Sequence, residues 1–190
     1  HSIKAGLHYF NHDLKNERYD IRNEFYNSGS DSAYAPEIFG DSSAYADVYN
    51  ISPKEVAFYM QDKMEFDDMV INIGLRYDQF DPKSVYPSDR RNPANQLILP
   101  DSMMSLYPQA SVISQISPRV GFAYQLGGQA VLHFSYGHFF QMPPMYAMYE
   151  NNSFLVDPNN FVTKMGNTLL EPEKTITYEI GLWQELNQVM

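Results

Sequence analysis

The chain has 190 residues and a formal net charge of -10, from 23 acidic and 13 basic side chains, so it offers no basic stripe for phosphates and nucleic acid is excluded as a partner. It has no cysteine, which removes a disulfide framework and any thiolate metal site without fixing the redox compartment. No run of 18 apolar residues is present, so no transmembrane helix is expected, and a mean hydropathy of -0.42 would by itself suggest a soluble protein.

The first predicted strand covers Ile3 to Phe10, where Ile3, Ala5, Leu7 and Tyr9 oppose Lys4, Gly6, His8 and, less cleanly, Phe10. A long connection over residues 16–52 follows, with Asp20, Asp31, Glu37, Asp41 and Asp47. No regular oxygen-ligand loop such as an EF-hand appears, so these acids read as solvation of an exposed loop in preference to a calcium site. In the second strand Val56, Phe58, Met60, Met64 and Phe66 oppose Ala57, Tyr59, Gln61, Lys63 and Glu65, and Asp62 interrupts the apolar set. Asp67 and Asp68 then make a tight turn into the most regular strand. There Met69, Ile71, Ile73, Leu75 and Tyr77 share one face, and Asn72, Gly74, Arg76 and Asp78 the other.

A second long loop spans residues 81–116. Beyond it Val120, Phe122, Tyr124 and Leu126 oppose Arg119, Gly121, Ala123 and Gln125, and a turn at Gly127 and Gly128 leads to Ala130, Leu132, Phe134 and Tyr136 against Val131, His133, Ser135 and Gly137. The third long loop covers residues 142–173, and the last strand sets Ile176, Tyr178, Ile180 and Leu182 against Thr177, Glu179, Gly181 and Trp183.

Alternation also suits a soluble sandwich. Three features favour a membrane. Each strand reaches roughly ten residues, near the ~9 to 11 that a tilted strand needs to cross a bilayer. The non-apolar faces carry glycine and charge, which a hydrated lumen accommodates and a dry core does not. Short turns alternate with long loops, the pattern of bacterial outer-membrane barrels. Seven aromatics sit at strand ends, at Tyr9, Phe10, Tyr77, Phe80, Tyr136, Phe139 and Phe140. An interfacial girdle places them there, and so does the plain preference of strands for aromatics. The expected fold is therefore an all-β, antiparallel transmembrane β-barrel. About six strands cannot close one, because the smallest bacterial form has about 8, so the chain reads as part of a longer polypeptide. His1 opens directly onto a strand, and no signal peptide is read.

The strings YMQD at Tyr59 to Asp62, NIGLRYD at Asn72 to Asp78, SPRVGFAY at Ser117 to Tyr124, SYGHFFQMP at Ser135 to Pro143 and GNTLLEPEKTITYEIGL at Gly166 to Leu182 follow one another in order. In that order and spacing they resemble barrel signatures of TonB-dependent outer-membrane receptors, most closely the Bacteroidota branch whose members often carry an N-terminal carboxypeptidase-regulatory-like domain. The resemblance spans residues 53–184. It implies a bacterial outer-membrane barrel of about 22 strands with a plugged lumen, importing a scarce ligand on energy passed by TonB. It implies outer-membrane lipid, the TonB complex and a glycan, peptide, siderophore or similar small molecule as partners. The plug and TonB box are not among these residues, so all 190 residues are expected to belong to one barrel domain.

On the inner faces, Gly74 relieves crowding at the wall. Arg76 and Asp78, two residues apart on one face, are placed to pair with each other or with a plug. Arg119 and Glu179 are further lumen-facing structural charges able to form a ladder with Arg76. Tyr178 points to lipid, and Pro172 sits just ahead of a strand, where its missing N–H costs no ladder bond.

No catalytic constellation is found. His133 and His138 lie on opposite faces, His8 and His12 are roughly 13 Å apart, and no GxSxG elbow is present. No enzyme activity, cofactor or metal site is expected. The run FFQMPPMYAMY places Met142, Met145 and Met148 three apart beside Tyr146 and Tyr149 at the outer mouth. It reads as a soft thioether site for copper, as an adaptable apolar surface for a ligand or a surface lipoprotein, or as plain loop packing. Loop residues Tyr45, Tyr49, Tyr107, Asn151, Asn152, Asn159 and Asn160 suit sugar or peptide recognition and an ordinary folded loop equally. Ligand import leads. The alternatives are a barrel acting as a structural or interaction platform without transport, and a soluble all-β binding module.

Overall fold

A computed structural model describes residues 1–23, 36–92, 94–95, 99–156 and 162–186. Asp31, Asn159 and Asn160 lie outside them. In chain order the elements are β1 (Ser2–Asn11), β2 (Leu14–Tyr19), β3 (Ile21–Asn23), β4 (Pro36–Ile38), β5 (Ala46–Ile51), β6 (Lys54–Glu65), β7 (Met69–Asp81), β8 (Ile113–Leu126), β9 (Ala130–Gln141), α1 (Met145–Tyr149) and β10 (Glu173–Gln184). Strands β1, β6, β7, β8, β9 and β10 form one antiparallel up-and-down sheet in that spatial order, with open edges at β1 and β10.

The register turns strand alternation into two continuous faces. Leu7 lies opposite Phe58, Phe58 opposite Tyr77 and Tyr77 opposite Ile116, so one apolar row crosses four strands. Below it run Met60, Leu75 and Pro118, and then Val120, Tyr136 and Tyr178. This face is open to its surroundings, with Leu7 75%, Leu75 53%, Tyr178 77% and Ile180 74% exposed. A water-soluble body buries such a surface, whereas lipid is its natural solvent. The opposite face carries Lys4, Gln61, Gly74, Arg119, Gly137 and Thr177 in one row. The same parity divides the seven strand-end aromatics. Tyr9, Tyr77, Tyr136 and Phe140 share the apolar face, whereas Phe10, Phe80 and Phe139 point inward and cannot belong to a lipid girdle.

The turn at Asp67 and Asp68 is a two-residue hairpin, closed by reciprocal bonds of 2.8 and 3.4 Å between Phe66 and Met69. The second turn has three residues, because Leu126 lies opposite Ala130 across Gly127, Gly128 and Gln129. Gly127 and Gly128 take φ of 59° and 81°, a left-handed conformation that glycine adopts without a Cβ clash. Strand β8 starts at Ile113, earlier than expected, because residues Ile113 to Pro118 pair with β7. The β8–β9 ladder stops at Arg119 opposite Gly137, where Pro118 has no N–H to extend it.

The first long connection is only partly a loop. Asn11 lies opposite Lys54, His12 N–H donates to the Pro53 carbonyl at 2.9 Å and Leu14 lies opposite Ile51, so the β1–β6 ladder continues into β2–β5 without a slip. Six further residue pairs carry this ribbon roughly 20 Å beyond the sheet. Leu14, Tyr49 and Ile51 keep the inward parity and meet Phe80 and the buried Met148 and Tyr149 of α1. This small apolar core joins the first and third long connections to the ends of β7 and β8.

Candidate functional site

The strand ends that bear the long connections carry a folded cap. The third loop is bonded to the second at four places. Tyr149 donates its buried hydroxyl to the Pro82 carbonyl at 2.9 Å, and burial pushes its phenol pKa up. Ser84 Oγ donates to Asn152 Oδ1 at 2.9 Å, Thr168 Oγ1 donates to the Val85 carbonyl at 3.0 Å, and Arg90 donates to Asn167 Oδ1 at 2.9 Å and to the Gly166 carbonyl at 3.1 Å.

The same loop is bonded to the ribbon. Arg18 Nη1 donates to Glu150 Oε1 at 3.1 Å, and the Asn151 N–H donates to Asp47 Oδ1 at 3.0 Å. Asp47 is buried, and that desolvation raises its carboxyl pKa against the lowering effect of the Asn151 bond and of Arg18, whose Nη2 is 3.8 Å from Oδ2. These groups border a polar cleft of about 270 Å³ that Asp20, Tyr45, Thr163 and Lys164 complete. Periodicity gives no sign of the cleft, because beyond Leu14 both faces of β2 are largely polar; the acid and tyrosine content of residues 45–49 is its trace in the sequence.

The methionine run divides by exposure. Met148 and Tyr149 lie inside the cap core, and Met142 and Met145 pack against it. Tyr146 stands out at 68% exposed. Among the described residues no group of three or more His, Cys, Asp or Glu is arranged to hold a metal ion.

The inner wall has its own geometry. Arg76 Nε donates to both Asp78 carboxylate oxygens at 2.8 and 3.0 Å, and its Nη2 is 2.7 Å from Oδ1. Arg119 does not join them, because its guanidinium lies over the Phe139 ring, 4.8 Å from the centroid. Glu179 faces His133 Nε2 at 3.8 Å. The expected ladder of Arg76, Arg119 and Glu179 is therefore three separate contacts, since each charge finds a nearer partner along or across its own strand. The Tyr59 ring lies over Gly6 and the His133 ring over Gly181, so closely that a Cβ at either glycine would meet the ring. A cavity of about 580 Å³ opens on this face above Gly74, Gly121 and Gly137.

A comparison with protein families matches residues 2–184 to the TonB dependent receptor-like β-barrel. The comparison with curated proteins finds no match.

Proposed function

The chain belongs to the TonB-dependent receptor β-barrel family, a family of outer-membrane receptors, and on that premise we propose that it forms a wall segment and outer cap of a transporter importing a scarce ligand. The ligand is a glycan, peptide, siderophore or similar molecule, and TonB supplies the energy. The observation that carries the reading is the division of one sheet into an exposed apolar face and a polar face hollowed by a cavity, with the cap at the outer end.

The quoted strings support the Bacteroidota branch, and residues 1–190 are then part of one barrel domain of about 22 strands. In the cap, Tyr146 makes the contact with a ligand or a surface lipoprotein, while Met142, Met145, Met148 and Tyr149 hold it from beneath. On the wall, Arg76, Asp78 and Glu179 serve as structural charges.

The test is uptake by receptor-null cells complemented with the full-length gene, given separate pools of labelled oligosaccharides, oligopeptides and ferric siderophores. Receptor-dependent accumulation of one class, abolished when a protonophore collapses the proton gradient, is the expected result. Surface binding that never leads to accumulation overturns import and supports a platform instead.

A further inference from the structure

Among the described residues two cations of the inner wall, Lys4 and Arg119, pair with no carboxylate, and Arg119 is held in place by its neighbours. Arg76 is closed by Asp78, and Lys63 Nζ lies 2.5 Å from Glu65 Oε1. Among the described residues Arg119 makes no ion pair and donates no hydrogen bond, and its contact is with the Phe139 ring. Ring stacking orients a guanidinium but leaves its charge and its five N–H donors available. The stem is fixed as well. Arg119 Cγ passes 3.7 Å from the point where Gly137 would carry a Cβ, and the Phe139 ring closes on the same point at 3.1 Å.

Around this charge the wall is hollow, with polar groups set among apolar ones such as Met60, Leu75 and Val120. Gly74, Gly121 and Gly137 leave the floor of the cavity clear, and Gln61, Asn72, Ser135 and Thr177 line it with neutral donors. Among the described residues no carboxylate borders the cavity. A guanidinium fork matches two oxygens of a carboxylate or phosphate at once.

We propose that Arg119 anchors an anion site on the inner wall, taking a carboxylate or phosphate group in a two-pronged hydrogen bond with further donors from the cavity lining. Two sources share this chemistry: a solute anion entering the lumen, and a carboxylate side chain from another part of the same polypeptide.

Phenylglyoxal labelling of the full-length receptor in detergent, read arginine by arginine by peptide mass spectrometry, tests the site and separates the sources. For a solute anion, Arg119 labels in phosphate-free buffer, and inorganic phosphate at about ten times its dissociation constant slows labelling about tenfold while Arg76 is unaffected. For an internal carboxylate, Arg119 is protected in both buffers, R119Q lowers the melting temperature and R119K restores it in part, keeping the charge but not the fork. Equal labelling with and without phosphate overturns the proposal. Protection in both buffers also overturns it if R119Q is as stable as the parent, or if R119K is destabilised as much as R119Q. None of these outcomes depends on uptake, so the site and the import reading fail separately.

Discussion

Arg18 and Glu150, 132 residues apart in sequence, meet at 3.1 Å and tie the ribbon of the first connection to the end of the helix in the third. Both side chains are partly solvated, so the pair is worth about 0.2 to 1 kcal/mol and weakens with salt. Hydrogen exchange of the full-length receptor should show R18Q and E150Q each speeding exchange in α1 and β2 at low salt, with much less difference from the parent at high salt. Unchanged exchange in both elements would rule out a clasp.

Asp47 gives this junction a pH dependence. Burial raises its folded pKa above the ordinary 3.8, so the docked cap binds a proton that the released loop gives up. The stabilising contribution is full below the unfolded pKa and is lost as pH rises through the folded one. After correction for intrinsic rates, α1 amides should be better protected in mildly acidic than in neutral buffer, and D47N should remove that difference. At neutral pH D47N should dock at least as well as the parent, because the amide oxygen still accepts from Asn151 while the buried charge is gone. D47A should cost about 1 to 3 kcal/mol by leaving the Asn151 N–H unpaired. Equal losses in D47N and D47A would show that the charge itself stabilises the cap.

A Cβ on Gly166 would stand 2.5 Å from the Met148 carbonyl oxygen and 2.7 Å from the Tyr149 nitrogen, both backbone atoms. G166A should therefore displace the third loop, at a cost of about 1 to 3 kcal/mol. At Gly121 the nearest atom is Asn72 Cβ at 3.6 Å, an ordinary contact, and G121A should be tolerated. Limited proteolysis distinguishes them: faster cleavage in the third loop for G166A and an unchanged pattern for G121A.

The sheet was legible because its chemistry repeats every second residue. Leu75 and Tyr178 are exposed on the apolar face, as their parity requires, and Pro172 stands just before β10. Parity also held the information that Phe10, Phe80 and Phe139 point inward, which their position at strand ends obscured. The β2–β5 ribbon was illegible for a physical reason: after Leu14 both faces of β2 are largely polar, and only the uninterrupted register with Ala46 to Ile51 reveals the strand. Tertiary contacts decided the rest. The spacing of Met142, Met145 and Met148 allows a short helix, but Phe80 and Ile51, distant in sequence, determine which of its side chains are buried. Arg119 likewise takes its partner from the neighbouring strand, at a position that only the β8–β9 register fixes.

The central claim is that the apolar face meets lipid and the opposite face meets water. The chain has no cysteine, so single nitroxide labels can be placed at Ile73→Cys and Leu75→Cys on one face and at Asn72→Cys and Ser135→Cys on the other, in the full-length receptor carrying no other cysteine and reconstituted in liposomes. Electron paramagnetic resonance should find the first pair relaxed by oxygen dissolved in the bilayer and shielded from a water-soluble nickel chelate, with the reverse for the second pair. Equal accessibility of the two pairs, or nickel contact at Ile73 and Leu75, would contradict the transmembrane wall.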